Sequence, residues 1–280
     1  MRGLKKRGVK VKKVKIPANG AEISALILSP EKPKKDAVGL LWLHGGGYFL
    51  GMKEMAYISS AAKLTEKYGA VVVCPGYRLS IRNPYPAAAE DCYSALLYLK
   101  KNASVLGAAS DKIAVGGESA GGGLCAAVAI MARDRGEVSV AFQLPLYPML
   151  DDRPTDSSRD NHGRIWNTRK NRFAWKLYLR KTAKTDIPVY AAPARLEDFS
   201  GLPPAYTFIG IGEPFYCETK IYIERLKACG VPAKMDVYDT DFHAFSMLKP
   251  KDKLSRLANE RFNEFFKYAS ENYSKKQPDL

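Results

Sequence analysis

A chain of 280 residues, 46% hydrophobic and 11% aromatic, suits one large α/β domain with a sizeable core and excludes global disorder. No apolar run approaches the roughly 18–20 residues needed to span a bilayer. Five cysteines, an odd number without CxxC spacing, exclude a disulfide frame or zinc site and read as reduced, packed as small apolar residues.

The chain opens on MRGLKKRGVKVKKVKIP, where Arg2, Lys5, Lys6, Arg7, Lys10, Lys12, Lys13 and Lys15 supply much of a formal net charge of +15. The stretch has the basic part of a signal peptide but no apolar core behind it, so a cytoplasmic protein is expected. A nucleic-acid partner is disfavoured, because no aromatic residues interleave the lysines and no binding motif accompanies them. Val9–Ile16 nearly alternates, which predicts a half-buried strand at a sheet edge, where lysine discourages edge-to-edge aggregation. Asn19-Gly20 predicts a hairpin turn into a strand over Ile23–Leu28.

Further strands are predicted over Val38–Leu43, Ala70–Cys74, Lys112–Val115, Ala141–Leu144, Ala205–Ile209 and Ala233–Tyr238. Helices are predicted over Glu54–Tyr68, Pro86–Lys101, Ala120–Arg135, Arg172–Thr182, Cys217–Cys229 and Ser255–Asn272. This alternation implies an α/β fold, a mostly parallel central sheet flanked by helices on both faces. Asp151–Pro193 interrupts it: the segment is charged, carries Trp166, Phe173 and Trp175, and holds one clear helix. An insertion of that size between core strands reads as a small cap, about 151–193, on a single domain spanning 1–280.

Two glycine-rich turns carry the chemistry. In LLWLHGGGYFLG an apolar strand runs into His44-Gly45-Gly46-Gly47, where bare backbone can approach a substrate closely with its N–H groups. Tyr48 and Phe49, next along, are expected to line the acyl or alcohol side and to favour small acyl groups. In KIAVGGESAGGGL, Ser119 leaves a strand at a sharp turn with Gly117 and Gly121 two residues to either side. That G-x-S-x-G context projects a hydroxyl beyond the sheet edge, with the free amide of Ala120 at the helix start. Neither G-x-G-x-x-G nor a GK[ST] ending is present, which argues against a dinucleotide or P-loop site.

A serine nucleophile needs a base and oxyanion donors. Of the three histidines, His44 belongs to the glycine loop and is expected to fix its shape, and His162 lies in the charged insertion. His243 follows the last predicted strand and so shares the carboxyl edge of the sheet with Ser119. The acid that orients a histidine should also leave a strand end. Glu213 does so. Asp239 and Asp241 share His243's own loop, and Glu218 reads as a first-turn residue favoured by the helix dipole.

With these residues located, the chain resembles the hormone-sensitive-lipase-like branch of the α/β-hydrolases. HGGGY and GESAGG carry the resemblance, with NPYPAAAEDCYSAL, PMLDDRPT, LPPAYTFIG and FHAF in the same order. It implies carboxylesterase activity on short or medium acyl chains without a cofactor, and often a homodimer. Carried over, Ser119 is the nucleophile, His243 the base and Glu213 the acid, with oxyanion donors from Gly45, Gly46, Gly47 and Ala120. The chain departs from the pattern in Glu213, where Asp is usual, in Glu118, where Asp is commoner, and in Ala244, where Gly is usual. An amidase or formamidase would use the same machinery, and a non-catalytic small-molecule-binding relative would have shed the histidine.

Overall fold

Eight strands form one sheet in the order β1-β2-β4-β3-β5-β6-β7-β8 in a computed structural model that describes residues 8–183 and 186–279. The strands are β1 (Val9–Ala18), β2 (Ala21–Pro30), β3 (Gly39–Leu43), β4 (Val71–Pro75), β5 (Ile113–Glu118), β6 (Phe142–Leu146), β7 (Ala205–Gly210) and β8 (Ala233–Tyr238). The β1–β2 and β2–β4 pairs are antiparallel and every later pair is parallel. β3, β4 and β5 are buried along their whole length, as strands covered on both faces must be.

β1 is the edge strand, and Lys10, Lys12, Lys13 and Lys15 are exposed along it while Val9 and Ile16 are buried. The basic residues at positions 2–7 lie outside the described residues. The predicted hairpin forms with Ala18 paired to Ala21.

The principal helices are α1 (Ser60–Tyr68), α2 (Ala87–Leu106), α3 (Ala120–Arg135), α4 (Thr168–Tyr178), α5 (Tyr216–Ala228), α6 (Phe245–Leu248) and α7 (Lys253–Asn272). α1 and α7 meet on one face of the sheet, where Tyr68 packs on Phe266 and Trp42 of β3 meets Phe262. α3 and α5 share a core on the other face through Ala126, Ile130, Tyr222 and Leu226.

Some predicted bounds shift for local reasons. Glu54–Tyr68 divides into a 3-10 turn over Lys53–Tyr57 and α1, because the Ser59 hydroxyl accepts from the Ala61 amide and starts a new helix. α4 begins four residues before the predicted start, because the Asn167 side chain caps the Lys170 amide. Cys74, Cys92 and Cys125 are buried as expected, but Cys217 is only partly buried and Cys229 is exposed just beyond α5.

The direction of chain progression reverses at β3. β4 lies on one side of it and β5 on the other. Ligands of open α/β sheets bind outside the carboxyl ends of the strands at such a switch point. The pairing Leu43↔Gly117 brings the end of β3 beside the end of β5, which sets the HGGG loop against the serine turn.

Candidate active site

Ser119 stands between β5 and α3 at φ +60°, ψ −120°, a backbone conformation that side chains rarely permit. Its amide donates to Leu146 O (3.0 Å), and its carbonyl accepts from Gly123 N (3.0 Å) and Met149 N (3.1 Å), so the turn is held from both sides. The flanking glycines answer to sterics. A Cβ at Gly117 would lie 2.2 Å from Gly121 O, and one at Gly121 would lie 2.1 Å from Leu43 O.

His243 Nε2 lies 2.8 Å from Ser119 Oγ, although 124 residues separate them in sequence. On the other side of the ring, Nδ1 forms a short hydrogen bond with Glu213 Oε2. Glu213 Oε1 accepts from the Gly210 amide (2.9 Å), which fixes the carboxylate at the end of β7. Glu213 is fully buried, and Ser119 and His243 are 7% and 4% exposed. The imidazole packs edge-on against Tyr147 (5.4 Å) and Phe215 (5.3 Å), which hold its plane. In this arrangement the Nδ1–H donates to Glu213, leaving Nε2 as acceptor for the serine proton. Asp241 does not take that place. Ala244, beside the histidine, adopts the left-handed region at φ +58°, where glycine would be relaxed.

The glycine loop lies alongside. A Cβ at Gly45 would be 3.0 Å from Glu118 O and 3.2 Å from Ser119 Cβ. Gly46 and Gly47 take φ +121° and +58°, and among the described residues neither amide donates a backbone hydrogen bond. Ala120 opens α3, where the first amides have no intrahelical acceptor.

His44 fixes the loop from behind. Its Nδ1 bonds Gly45 O (2.8 Å), its carbonyl accepts from the Tyr77 hydroxyl (2.8 Å), and its ring stacks on Tyr77 at 4.1 Å. Burial pushes its pKa down to about 4, which keeps the ring neutral. His162 is exposed beside Asp160 and is not a member of the Ser119–His243–Glu213 line.

Three expectations need correction or completion. Tyr48 does not line the cleft: at φ +65° its side chain turns inward, is 1% exposed, donates to Met149 O (2.8 Å) and stacks on Tyr178. Phe49 is half-buried, its ring beside Gly47 and Trp166 and in edge contact with Phe173 of α4. Glu218 does stand in the first turn of α5, but it is buried there rather than simply placed at the helix end. It is 1% exposed, accepts from Leu150 N (2.7 Å) and Asp151 N (3.3 Å), and burial raises its pKa well above the carboxylate range.

Trp166, which the sequence offers only as an aromatic anchor of the insertion, stands at the site itself. Its ring tip occupies the space where a Gly47 side chain would stand, 2.2 Å from that Cβ position, and its centroid is 6.4 Å from His243. A tryptophan set in a charged insertion, as Trp175 also is, was the available signal. Among the described residues no group of three His, Cys, Asp or Glu could hold a metal ion.

Comparison with known proteins agrees with this architecture. The sequence profile of a family described as alpha/beta hydrolase fold matches residues 40–247. Esterase LipI of Mycobacterium tuberculosis is 32% identical over 212 residues, covering 75% of this chain and 66% of LipI. An arylesterase of Saccharolobus solfataricus is 30% identical over 235 residues, covering 83% of this chain and 76% of that protein. The chain thus spans about two thirds of the length of LipI. Among solved structures, a bacterial heroin esterase superposes with a TM-score of 0.86 at 34% identity, covering 91% of this chain and 83% of that one. A hyperthermophilic esterase from the archaeon Pyrobaculum calidifontis gives 0.85 at 32%, covering 95% and 87%. The profile match, the sheet order and these relatives together establish that this chain belongs to the alpha/beta hydrolase family, in the hormone-sensitive-lipase-like branch that its motifs resemble.

Proposed function

We propose that the chain is a serine carboxylesterase that cleaves short-chain acyl esters through a Ser119–His243–Glu213 triad. One observation carries this reading: Ser119 Oγ, His243 and Glu213 form an unbroken hydrogen-bonded line at the start of a helix. The relatives named esterase and arylesterase support the same class of reaction.

In the proposed first step His243 Nε2 takes the Ser119 proton as Oγ attacks the ester carbonyl. The carbonyl oxygen gains negative charge and is held by the amides of Gly46, Gly47 and Ala120, with Gly45 shaping the loop. Glu213 stabilises the imidazolium that forms. The C–O bond to the alcohol breaks, and the alcohol leaves with the proton from His243. Water then attacks the acyl-enzyme by the same route, giving the acid and free Ser119.

Residues 151–193 act in this reading as a small cap. Trp166 over Gly47, and the contact of Phe49 with Phe173, narrow the space beside the glycine loop and support a preference for short acyl groups. The test is the initial rate on p-nitrophenyl esters of increasing acyl length. Acetate and butyrate should be turned over fastest, and Ser119→Ala should lose at least about a thousandfold in kcat. Retained activity in Ser119→Ala, or a rate rising steadily into long acyl chains, would refute the reading.

A further inference from the structure

A second cavity, of about 450 Å³, opens beside α4 with neither Ser119 nor His243 in its wall. That volume falls within the range of small-molecule sites. Its apolar floor is Trp175, Leu179 and Ile187, and its walls include Arg172 and Lys176, one helical turn apart. The remaining charges of the wall are already engaged. Asp152 is clasped by both arms of the Arg195 guanidinium (2.7 and 2.9 Å), and Arg180 donates to the carbonyls of Ser80 and Ile81. Among the described residues Arg172 makes one long hydrogen bond, 3.5 Å to Arg159 O. Among the described residues the cavity therefore presents an apolar floor beneath two exposed cations, with its one carboxylate already neutralised.

We propose that this cavity is an accessory binding site for a medium-chain carboxylate, whose tail lies on Trp175, Leu179 and Ile187 and whose head group pairs with Lys176 and Arg172. An apolar floor below a cationic rim suits an amphiphilic anion, and suits a neutral or cationic ligand of the same length less well. The floor also touches the catalytic loop: Trp175 packs on Tyr48 (5.5 Å between ring centroids), the residue after Gly47. An occupant would thus rest against the aromatic pair that anchors the HGGG loop.

Trp175 supplies the readout. Titration with a bromine-tipped decanoate should quench its fluorescence saturably in a Trp166→Phe background, and this quench should disappear in Trp175→Phe. Prior phosphonylation of Ser119 should leave the titration unchanged, which separates this cavity from the active site. Lys176→Glu, at an exposed position that does not threaten folding, should weaken binding about tenfold, with Lys176→Gln intermediate. Decanol should bind at least about tenfold more weakly than decanoate. Quenching abolished by phosphonylation, unaffected by Lys176→Glu, or equally strong with decanol would overturn the proposal. The titration does not depend on catalysis, so failure of Ser119 to label would leave its outcome readable, and the two failures are distinct.

Discussion

At the turn after β5, one serine is held in a left-handed conformation between two glycines that no other residue could replace without moving backbone. The Cβ of an alanine at position 121 would press on Leu43 O, which belongs to the strand carrying the HGGG loop. Gly121→Ala therefore displaces Ser119 and the HGGG loop together, the proposed nucleophile and donors. It should cost at least about 100-fold in kcat/KM, the scale expected for displacements near 1 Å. Beside the serine, burial raises Glu118 to about 7, offset by the Ser60 amide (3.5 Å) and the charge of Lys63; the Cys74 thiol and the Tyr147 hydroxyl also feel its charge. An acid with a raised folded pKa binds its proton more tightly when folded, so its contribution to stability is full below about pH 4.5 and is lost as pH rises toward 7. His44 runs the opposite way. Its pKa is lowered from 6.5 to about 4, so its contribution is full above 6.5 and is lost on acidification toward 4. The two slopes oppose each other in the parent chain. Glu118→Gln removes one of them, and denaturant unfolding of the variant should show stability rising more steeply with pH between 4.5 and 6.5 than in the parent. A variant whose pH profile parallels the parent's would show that Glu118 does not titrate in that window.

Among the elements, the join between β6 and α5 depends on a buried carboxyl. Glu218 Oε1 accepts from two consecutive amides, Leu150 and Asp151, where the chain leaves the sheet for the insertion. Burial raises its pKa and so favours the uncharged form, and a neutral amide of the same shape can take its place. Glu218→Gln should change unfolding free energy by less than about 1 kcal/mol, whereas Glu218→Ala should cost about 2–4 kcal/mol by stranding buried amides. The sequence made α5 legible through its apolar stripe and the glycine at its end, but not the burial of Glu218. An acidic residue in a first turn reads the same whether it faces water or a neighbouring loop. The early start of α4 was legible in principle from Asn167-Thr168, a capping pair hidden by the charge around it. The inward turn of Tyr48 was not, because its direction depends on positive φ at two preceding glycines and on Tyr178, 130 residues away.

For the molecule as a whole, the alternation of strands and helices fixed which residues reach the carboxyl edge of the sheet. Ser119, Glu213 and His243 could each be placed there one strand at a time. What alternation could not supply was the lateral order, β4 outside β3 and β5 inside it. That order sets the HGGG loop directly against the serine and makes β3 the switch point. The insertion was legible as an interruption, yet its role beside Gly47 rests on a single tryptophan whose position only the packed fold reveals. The central claim is that three groups distant in the chain act as one nucleophilic relay. Fluorophosphonate labelling followed by peptide mass spectrometry tests it most directly. One adduct per chain is predicted, on the peptide bearing Ser119, absent in Ser119→Ala and slowed by orders of magnitude in His243→Ala. An adduct on a different residue, or undiminished labelling without His243, would contradict it.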